Sequence, residues 1–392
     1  MLWLCMQFPK LPLEVLTRAQ AENSTPQVVV EKQLVIEHNL AAAQCGIVNG
    51  LNITTACNLC ADLQLLNRDA QREQLQLQQL AQWGYSFTPV VSLQPAKPAS
   101  SGESTAALLY LELSGCLTAN GGFKALIEQL RSELKLMGID SIMGLSHSPS
   151  AARLLSQLAE HRQWLLQTCT PPSPQQWKQW ISLAPSKLLD CDNKTISKLY
   201  ACDLKRVSQL LAIPLSEVGS RFGRSFVDYL ARLNGSRRDS VCHYQPTAQF
   251  TSELFFPTPL NSSEQLLFPI RRLLRELYSQ MQRRQLHTQQ LHWQLDFGQG
   301  NTETITVEIS TPQLEPQRLI ALTKLRVGKL PLKHPVQSIS LNCNQLVPLK
   351  KELVANDLFG SDNQAHRSQQ LLDKLKGRLG RQAISGIALK EG

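Results

Sequence analysis

Clustered prolines at Thr168-Cys169-Thr170-Pro171-Pro172-Ser173-Pro174 split the chain into two stretches of different character. Proline supplies no backbone donor and disfavours helix, so the segment marks a domain boundary. Before it, strand and helix patterns alternate; after it, residues 175–235 read as helix only. A chain of 392 residues exceeds one ordinary core, and 42% apolar with 6% aromatic residues describes a soluble globular protein of two to four domains.

In the first stretch Leu2–Met6, Gln27–Glu37, Leu108–Leu113 and Ser141–Leu145 have strand patterns. Leu75–Trp83, Gly122–Met137 and Pro149–Leu158 have helical spacing, and Gln94–Thr105, rich in Pro, Ala and Ser, reads as a mobile loop. Short helices are expected at Thr195–Tyr200, Leu204–Leu211 and Leu215–Phe222. Beyond the basic Ser236-Arg237-Arg238 linker the order is βαββαβ: strand Phe250–Phe256, helix 263–285, strands 290–297 and 303–310, helix 315–325, strand 336–343. That alternation fits a two-layer domain with an antiparallel sheet. Residues 346–392 form a polar tail with one amphipathic helix, Ser368–Leu379.

The formal charge of +9 favours polyanionic partners such as nucleic acid. Ten cysteines without paired zinc-ribbon spacing argue against a disulfide framework or zinc site; Cys57 and Cys60 fall in a helical stretch, 53–63, as small buried side chains. Met1–Met6 is too short for a signal sequence, and no later run approaches a membrane span, so the expected compartment is the cytoplasm.

Several segments in this order carry a family resemblance. They are Leu2-Trp3-Leu4-Cys5-Met6-Gln7-Phe8-Pro9-Lys10-Leu11-Pro12-Leu13-Glu14, Ala41-Ala42-Ala43-Gln44-Cys45-Gly46-Ile47, Phe87-Thr88-Pro89, Leu111-Glu112-Leu113-Ser114-Gly115, Gly121-Gly122, Arg221-Phe222-Gly223 and Leu375 to Gly380. The chain resembles Y-family translesion DNA polymerases, and more closely their inactive ImuB-type relatives, the mutasome adaptors of bacteria. The resemblance spans nearly the whole chain. It implies an α+β right hand: palm and fingers at 1–168, a helical thumb with a helix-hairpin-helix at 169–238, a βαββαβ little finger at 239–345, and a C-terminal partner-binding tail at 346–392.

Polymerase chemistry needs hard oxygen ligands for two divalent metals. By the resemblance, the first family aspartate falls on Met6, the second acidic position of that motif on Phe8, and the later Asp-Glu pair on Ala107 and Leu108. None of these side chains can hold magnesium. Glu112 aligns with an acidic position outside the metal set. The Tyr and Arg directed at the triphosphate in active relatives fall on Leu40 and Ala43, and Arg153 stands where a phosphate-contacting lysine is expected. No metal, cofactor or catalytic residue is therefore assigned.

Binding residues remain. Lys194, Lys198, Lys205 and Arg206 lie in a degenerate helix-hairpin-helix in which Asp203 takes a turn position favouring glycine; it fits phosphate contact or packing. Arg271, Arg272, Arg275, Arg283 and Arg284 lie along one helix, followed by Lys324, Arg326, Lys329 and Lys333, which fits a DNA-backbone surface or a solvated face. Asp357-Leu358-Phe359 is similar to sliding-clamp-binding peptides, and Gln345-Leu346-Val347-Pro348-Leu349 is a second candidate. The resemblance implies a non-catalytic adaptor of translesion synthesis and SOS mutagenesis. Its partners would be primer-template DNA read without sequence preference, the sliding clamp, an ImuA-like RecA-related protein and an error-prone C-family polymerase. Two other readings are an active polymerase with displaced ligands such as Glu112 and Asp140, and a plain structural DNA-binding protein.

Overall fold

The computed structural model describes residues 1–19, 25–96, 106–246, 249–298, 300–308, 316–327, 332, 334–344 and 346–348. The chain opens with β1 (Trp3–Phe8), α1 (Leu11–Thr17), β2 (Gln27–Glu31), β3 (Leu34–His38), α2 (Leu40–Gln44), α3 (Ile53–Leu59), β4 (Gln64–Asn67) and α4 (Ala70–Tyr85). Next come β5 (Val91–Gln94), β6 (Ala107–Glu112), α5 (Phe123–Leu136), β7 (Ile142–Ser146), α6 (Pro149–Ser156) and α7 (Ala159–Gln167). The helices α8 (Pro174–Leu183), α9 (Asn193–Ala201), α10 (Val207–Leu211), α11 (Leu215–Phe222) and α12 (Arg224–Asn234) follow without a strand. The remainder is β8 (Phe250–Leu260), α13 (Leu267–Arg284), β9 (Leu286–His287), β10 (Gln290–Asp296), β11 (Thr302–Glu308), α14 (Pro316–Val327), β12 (Val336–Cys343) and β13 (Val347–Pro348). The fold is α+β, as expected.

The described residues of Met1–Glu14 and Thr25–Pro246 form one compact unit, and those of Val15–Ser24 and Thr247–Gly392 a second. The first unit is built on an antiparallel sheet ordered β5-β6-β1-β7. Helix α4 packs on one face, where a Cβ on Gly84 would sit 2.9 Å from Leu111 and 3.5 Å from Leu109. Helix α6 packs on the other face so closely that a Cβ on Gly144 would lie 2.2 Å from the Ser156 backbone nitrogen. Only glycine permits that approach of helix to strand. Both outer edges of the sheet are finished by the chain itself. The Leu145 N–H of β7 donates to His161 Nε2 at 3.0 Å, and the Val91 carbonyl of β5 accepts from Tyr244 N at 2.7 Å. Capping of this kind removes the free backbone groups that make edge strands aggregate.

A smaller sheet ordered β3-β2-β4 carries α2 and α3, and its apolar cluster holds Val28, Val30, Val35, Ala42, Ile47, Ala56 and Cys60. The single strand expected at Gln27–Glu37 is a hairpin, turned by Lys32 (φ 48) and Gln33 (φ 67). Two consecutive left-handed residues make such a turn, and its usual Asn-Gly or Asp-Gly signal is absent from the sequence. Helix α4 starts earlier than its apolar spacing suggests, because the Asp69 side chain accepts from Arg72 N at 3.0 Å and glutamine-rich turns are good helix. In α3, Cys60 is buried as expected but Cys57 is exposed, which corrects the shared-face reading.

The second unit has the expected βαββαβ order, with its sheet arranged β11-β10-β12-β8. Its core gathers Leu254, Ile270, Leu273, Leu274, Leu277, Trp293, Ile339 and Leu341. The apolar residues of β10, Leu291, Trp293 and Leu295, alternate with polar ones, the period-2 pattern of a sheet covered on one face. Among the described residues no helix is long and apolar enough to cross a membrane.

Candidate functional site

Strand pairing decides which positions of the first sheet share a face. Cross-strand partners point the same way, and the register pairs Met6 with Leu109, Gln7 with Leu108, and Phe8 with Ala107. Met6 and Phe8 therefore lie on the face covered by α4, both fully buried. The β1 residue beside Leu108 is Gln7, while Met6 stands beside Leu109. One residue of register carries a strand position to the opposite face, and a strand buried on both sides offers no polar alternation from which to read it.

The Gln7/Leu108 face is filled from within the unit. Trp3, Cys5, Leu108, Tyr110 and Ala152 form one buried cluster, with Val90 and Val241 packed against it. Burial pushes the Cys5 thiol up to about 12, so it stays protonated. The Gln7 amide donates to Ser156 Oγ and, at 3.3 Å, to the Arg153 carbonyl, both on α6. Arg153 is itself held by the Asp190 carboxylate, which restrains the cation that stands where a phosphate-contacting lysine is expected. Divalent magnesium requires several oxygen ligands in near-octahedral array. Leu108 offers no oxygen, and the single amide oxygen of Gln7 cannot supply such an array.

Neither displaced carboxylate repairs this. Glu112 Oε1 accepts from Leu2 N at 3.1 Å, from Ser114 N at 3.2 Å and from the Ser114 hydroxyl at 2.5 Å, so it closes the start of β1 against the end of β6. Asp140 pairs with Lys10 at 3.0 Å just past the other end of β1. The five residue steps from Trp3 to Phe8 alone span roughly 17 Å at strand rise, too far for a shared ion. Beside Asp140, burial raises Glu14 to about 8, which leaves it protonated and uncharged near neutrality. Among the described residues no group of three or more His, Cys, Asp or Glu could hold a metal. Leu40, at the start of α2, is 76% exposed, and Ala43 follows on the same short helix.

The helical hairpin is formed by α9, a five-residue connection and α10, with Leu199, Val207 and Leu210 buried between them. Asp203 adopts the left-handed conformation expected of it, φ 59. The N–H groups around the turn are all used internally. Asp203 N donates to Tyr200 O, Leu204 N to Leu199 O, Lys205 N to Asp203 O, Arg206 N to Gln209 Oε1 and Val207 N to Ala184 O. A phosphate would find no free backbone donor in this run, which removes the usual contact of such a hairpin. Lys194, Lys198, Lys205 and Arg206 are exposed, and Lys205 pairs with Asp203 at 2.6 Å.

In the second unit the arginines of α13 separate. Arg271 and Arg275 are exposed one turn apart. Arg272 turns inward, donating to the Arg18 carbonyl and lying 3.9 Å from Glu276; Arg18 is buried with it, bonded to the Glu253 carbonyl at 2.8 Å and to Glu276 at 3.4 Å. Arg272 is thus a structural ion-pair member and not a surface cation. Arg283 is half-buried, and burial lowers it to about 10; Arg284 is half-buried too. Lys324 is exposed and Arg326 half-buried on α14. The four main strands, β8, β10, β11 and β12, contain no Lys or Arg, and their outward side chains include Thr251, Gln294, Thr304, Thr306, Ser340 and Asn342.

Leu346 is buried in the second core and Val347 pairs with His287, so the second clamp-peptide candidate has its central residues in the fold. Asp357, Leu358 and Phe359 lie outside the described residues, as do Lys329, Lys333 and the helix expected at Ser368–Leu379.

Residues 13–157 match the model of the impB/mucB/samB family, and residues 248–355 match the model of that family's C-terminal domain. Among solved structures the chain is similar to a Dbh ternary complex at 11% identity and a TM-score of 0.46, covering 89% of this chain and 100% of that one. It is similar to DinB from Sulfolobus solfataricus at 12% identity and a TM-score of 0.45, and to an insertion ternary complex of Dbh DNA polymerase at 12% and 0.46, with the same coverage. No curated protein matches the chain.

Proposed function

We propose that this chain, which belongs to the impB/mucB/samB family, is a non-catalytic adaptor of translesion synthesis that holds primer-template DNA, the sliding clamp and a separate error-prone polymerase together. The observation that carries this reading is the pairing of Gln7 with Leu108 under α6, where a polymerase of this build needs carboxylates. DNA is contacted through its backbone by exposed cations, with Arg271, Arg275 and Lys324 in the second unit and Lys194, Lys198 and Arg206 on the hairpin as the candidates. Such binding ignores base sequence and weakens steeply with salt. The tail segment Asp357-Leu358-Phe359 supplies an apolar anchor for the clamp, and the remaining tail recruits an ImuA-like RecA-related protein and a C-family polymerase. Several weak contacts on one scaffold raise the effective concentration of each partner for the others. The setting is the cytoplasmic SOS response.

Primer extension with the purified chain in magnesium or manganese tests the catalytic half, with no nucleotide added as the expected result. Incorporation that disappears in Glu112→Ala would establish an active polymerase instead. Clamp affinity of the wild type against a Leu358→Ala, Phe359→Ala double variant tests the adaptor half. Equal affinity would leave only a DNA-binding protein.

A further inference from the structure

Where the starts of α6 and α9 meet α12, the first unit holds a cavity of ≈ 460 Å³ that the proposed function leaves unused. Small-ligand pockets run from roughly 300 to 1,000 Å³, so the size suits a ligand. Three carboxylates, Asp190, Asp192 and Asp239, line it against one guanidinium, Arg232, on a chain of formal charge +9. Asp239 accepts from Ser150 N at 2.8 Å in the first turn of α6 and lies 3.4 Å from Arg232. Asp192 is exposed and is the N-cap residue of α9. The chain's own carboxylates thus occupy both helix N-termini, the places where a phosphate is otherwise held.

Another part of the lining is aromatic. The rings of Phe222 and Phe226 stand 5.6 Å apart, and Tyr229 follows 6.3 Å from Phe226. Tyr229 is only 7% exposed, and its hydroxyl oxygen accepts from Asp190 N at 3.1 Å. Burial raises its pKa, so the hydroxyl keeps its proton. Among the described residues no acceptor takes that proton. A buried donor left unspent is costly, and a ligand acceptor relieves it.

We propose that this cavity binds an arginine residue of a partner protein. The guanidinium donates to the carboxylates, its stem lies along the aromatic rings, and the peptide carbonyl beside it accepts from the Tyr229 hydroxyl. A lysine offers no planar fork for paired carboxylate bonds, and a bare amine offers Tyr229 no acceptor. The site stands independently of the DNA and clamp contacts described above, and it adds a protein-binding surface to the helical part of the first unit.

The test is saturation-transfer NMR on the full chain, with N-acetyl-arginine methylamide as the probe and its uncharged citrulline analogue as the control. Transfer to the arginine probe alone, weakening as salt is added, supports the assignment. Asp192→Asn, in which asparagine still suits the helix cap, should raise the Kd of the probe by about threefold to fivefold at an unchanged melting temperature. Tyr229→Phe should also weaken binding but leave its salt dependence as in wild type; should that variant fail to fold, Asp192→Asn decides alone. No transfer to the arginine probe, equal transfer to the citrulline analogue, or wild-type affinity in Asp192→Asn overturns it.

Discussion

In the sheet of the first unit β1 buries all six residues from Trp3 to Phe8, whereas β10 in the sheet of the second exposes or half-exposes every other side chain. Both sheets are four-stranded and antiparallel, and both carry helices. They differ in how the second face is finished. In the first, α6, Val90 and Val241 lie over Cys5, Leu108 and Tyr110, and His161 and Tyr244 close the two edges. In the second, the outward face presents hydroxyls, amides and the carboxylates of Asp296 and Glu308. The first has become a packed platform, and the second keeps an open polar surface.

That contrast can be broken most forcefully at Gly144. Gly144→Ala drives a methyl into the α6 backbone and should cost about 3 kcal/mol or more, read from denaturant unfolding. Thr304→Ala on the outward face of β11 should change the same quantity by less than about 0.5 kcal/mol. Equal losses would dissolve the distinction.

Acid should act on the first sheet next. His161 is fully buried, its Nε2 accepts from β7, and burial lowers its pKa to about 4 from an ordinary value near 6.5. The unfolded state then binds the proton more readily, so stability is complete above the unfolded value. It declines as pH falls from about 6.5 towards 4, by roughly 3 kcal/mol. Urea midpoints at pH 7.5 and 4.5, with His161→Phe as a variant lacking the titration, measure it.

A smaller effect is expected at Arg153. Its partner Asp190 is half exposed, so screening limits the pair, and Arg153→Ala should destabilise by about 1 kcal/mol without creating or removing activity. In the second unit Arg271→Ala with Arg275→Ala should leave stability within about 0.5 kcal/mol of wild type while lowering DNA affinity and reducing the salt slope by about 2. The gentlest test is Gln33→Gly in the β2–β3 hairpin. Removing a left-handed side chain there should stabilise by up to about 1 kcal/mol.

The second unit was the more legible. Its strands alternate and its helices have apolar stripes, so βαββαβ could be written down from residues 250–343. In the first unit the four-residue strands β4 and β5 carry too short a pattern to be read from the sequence. Helix α7 has no side-chain cap to announce it. Among the cations, spacing along α13 gathered five arginines, but only the fold shows that Arg272 serves Arg18 and Glu276 while Arg271 and Arg275 face solvent. Nothing in the hairpin sequence announces that the Val207 amide is spent, because its acceptor, the Ala184 carbonyl, lies outside the hairpin.

Residue identity alone determined that Met6, Phe8, Ala107 and Leu108 supply no carboxylate, since no folding can turn an apolar side chain into an oxygen ligand. Tertiary structure decided that Gln7 is the residue beside Leu108, that Glu112 is a cap, and that Arg153 answers to Asp190. The reason is physical: facing depends on strand register, and the partner of a charge depends on which distant segment packs against it. Neither is a property of a residue and its sequence neighbours.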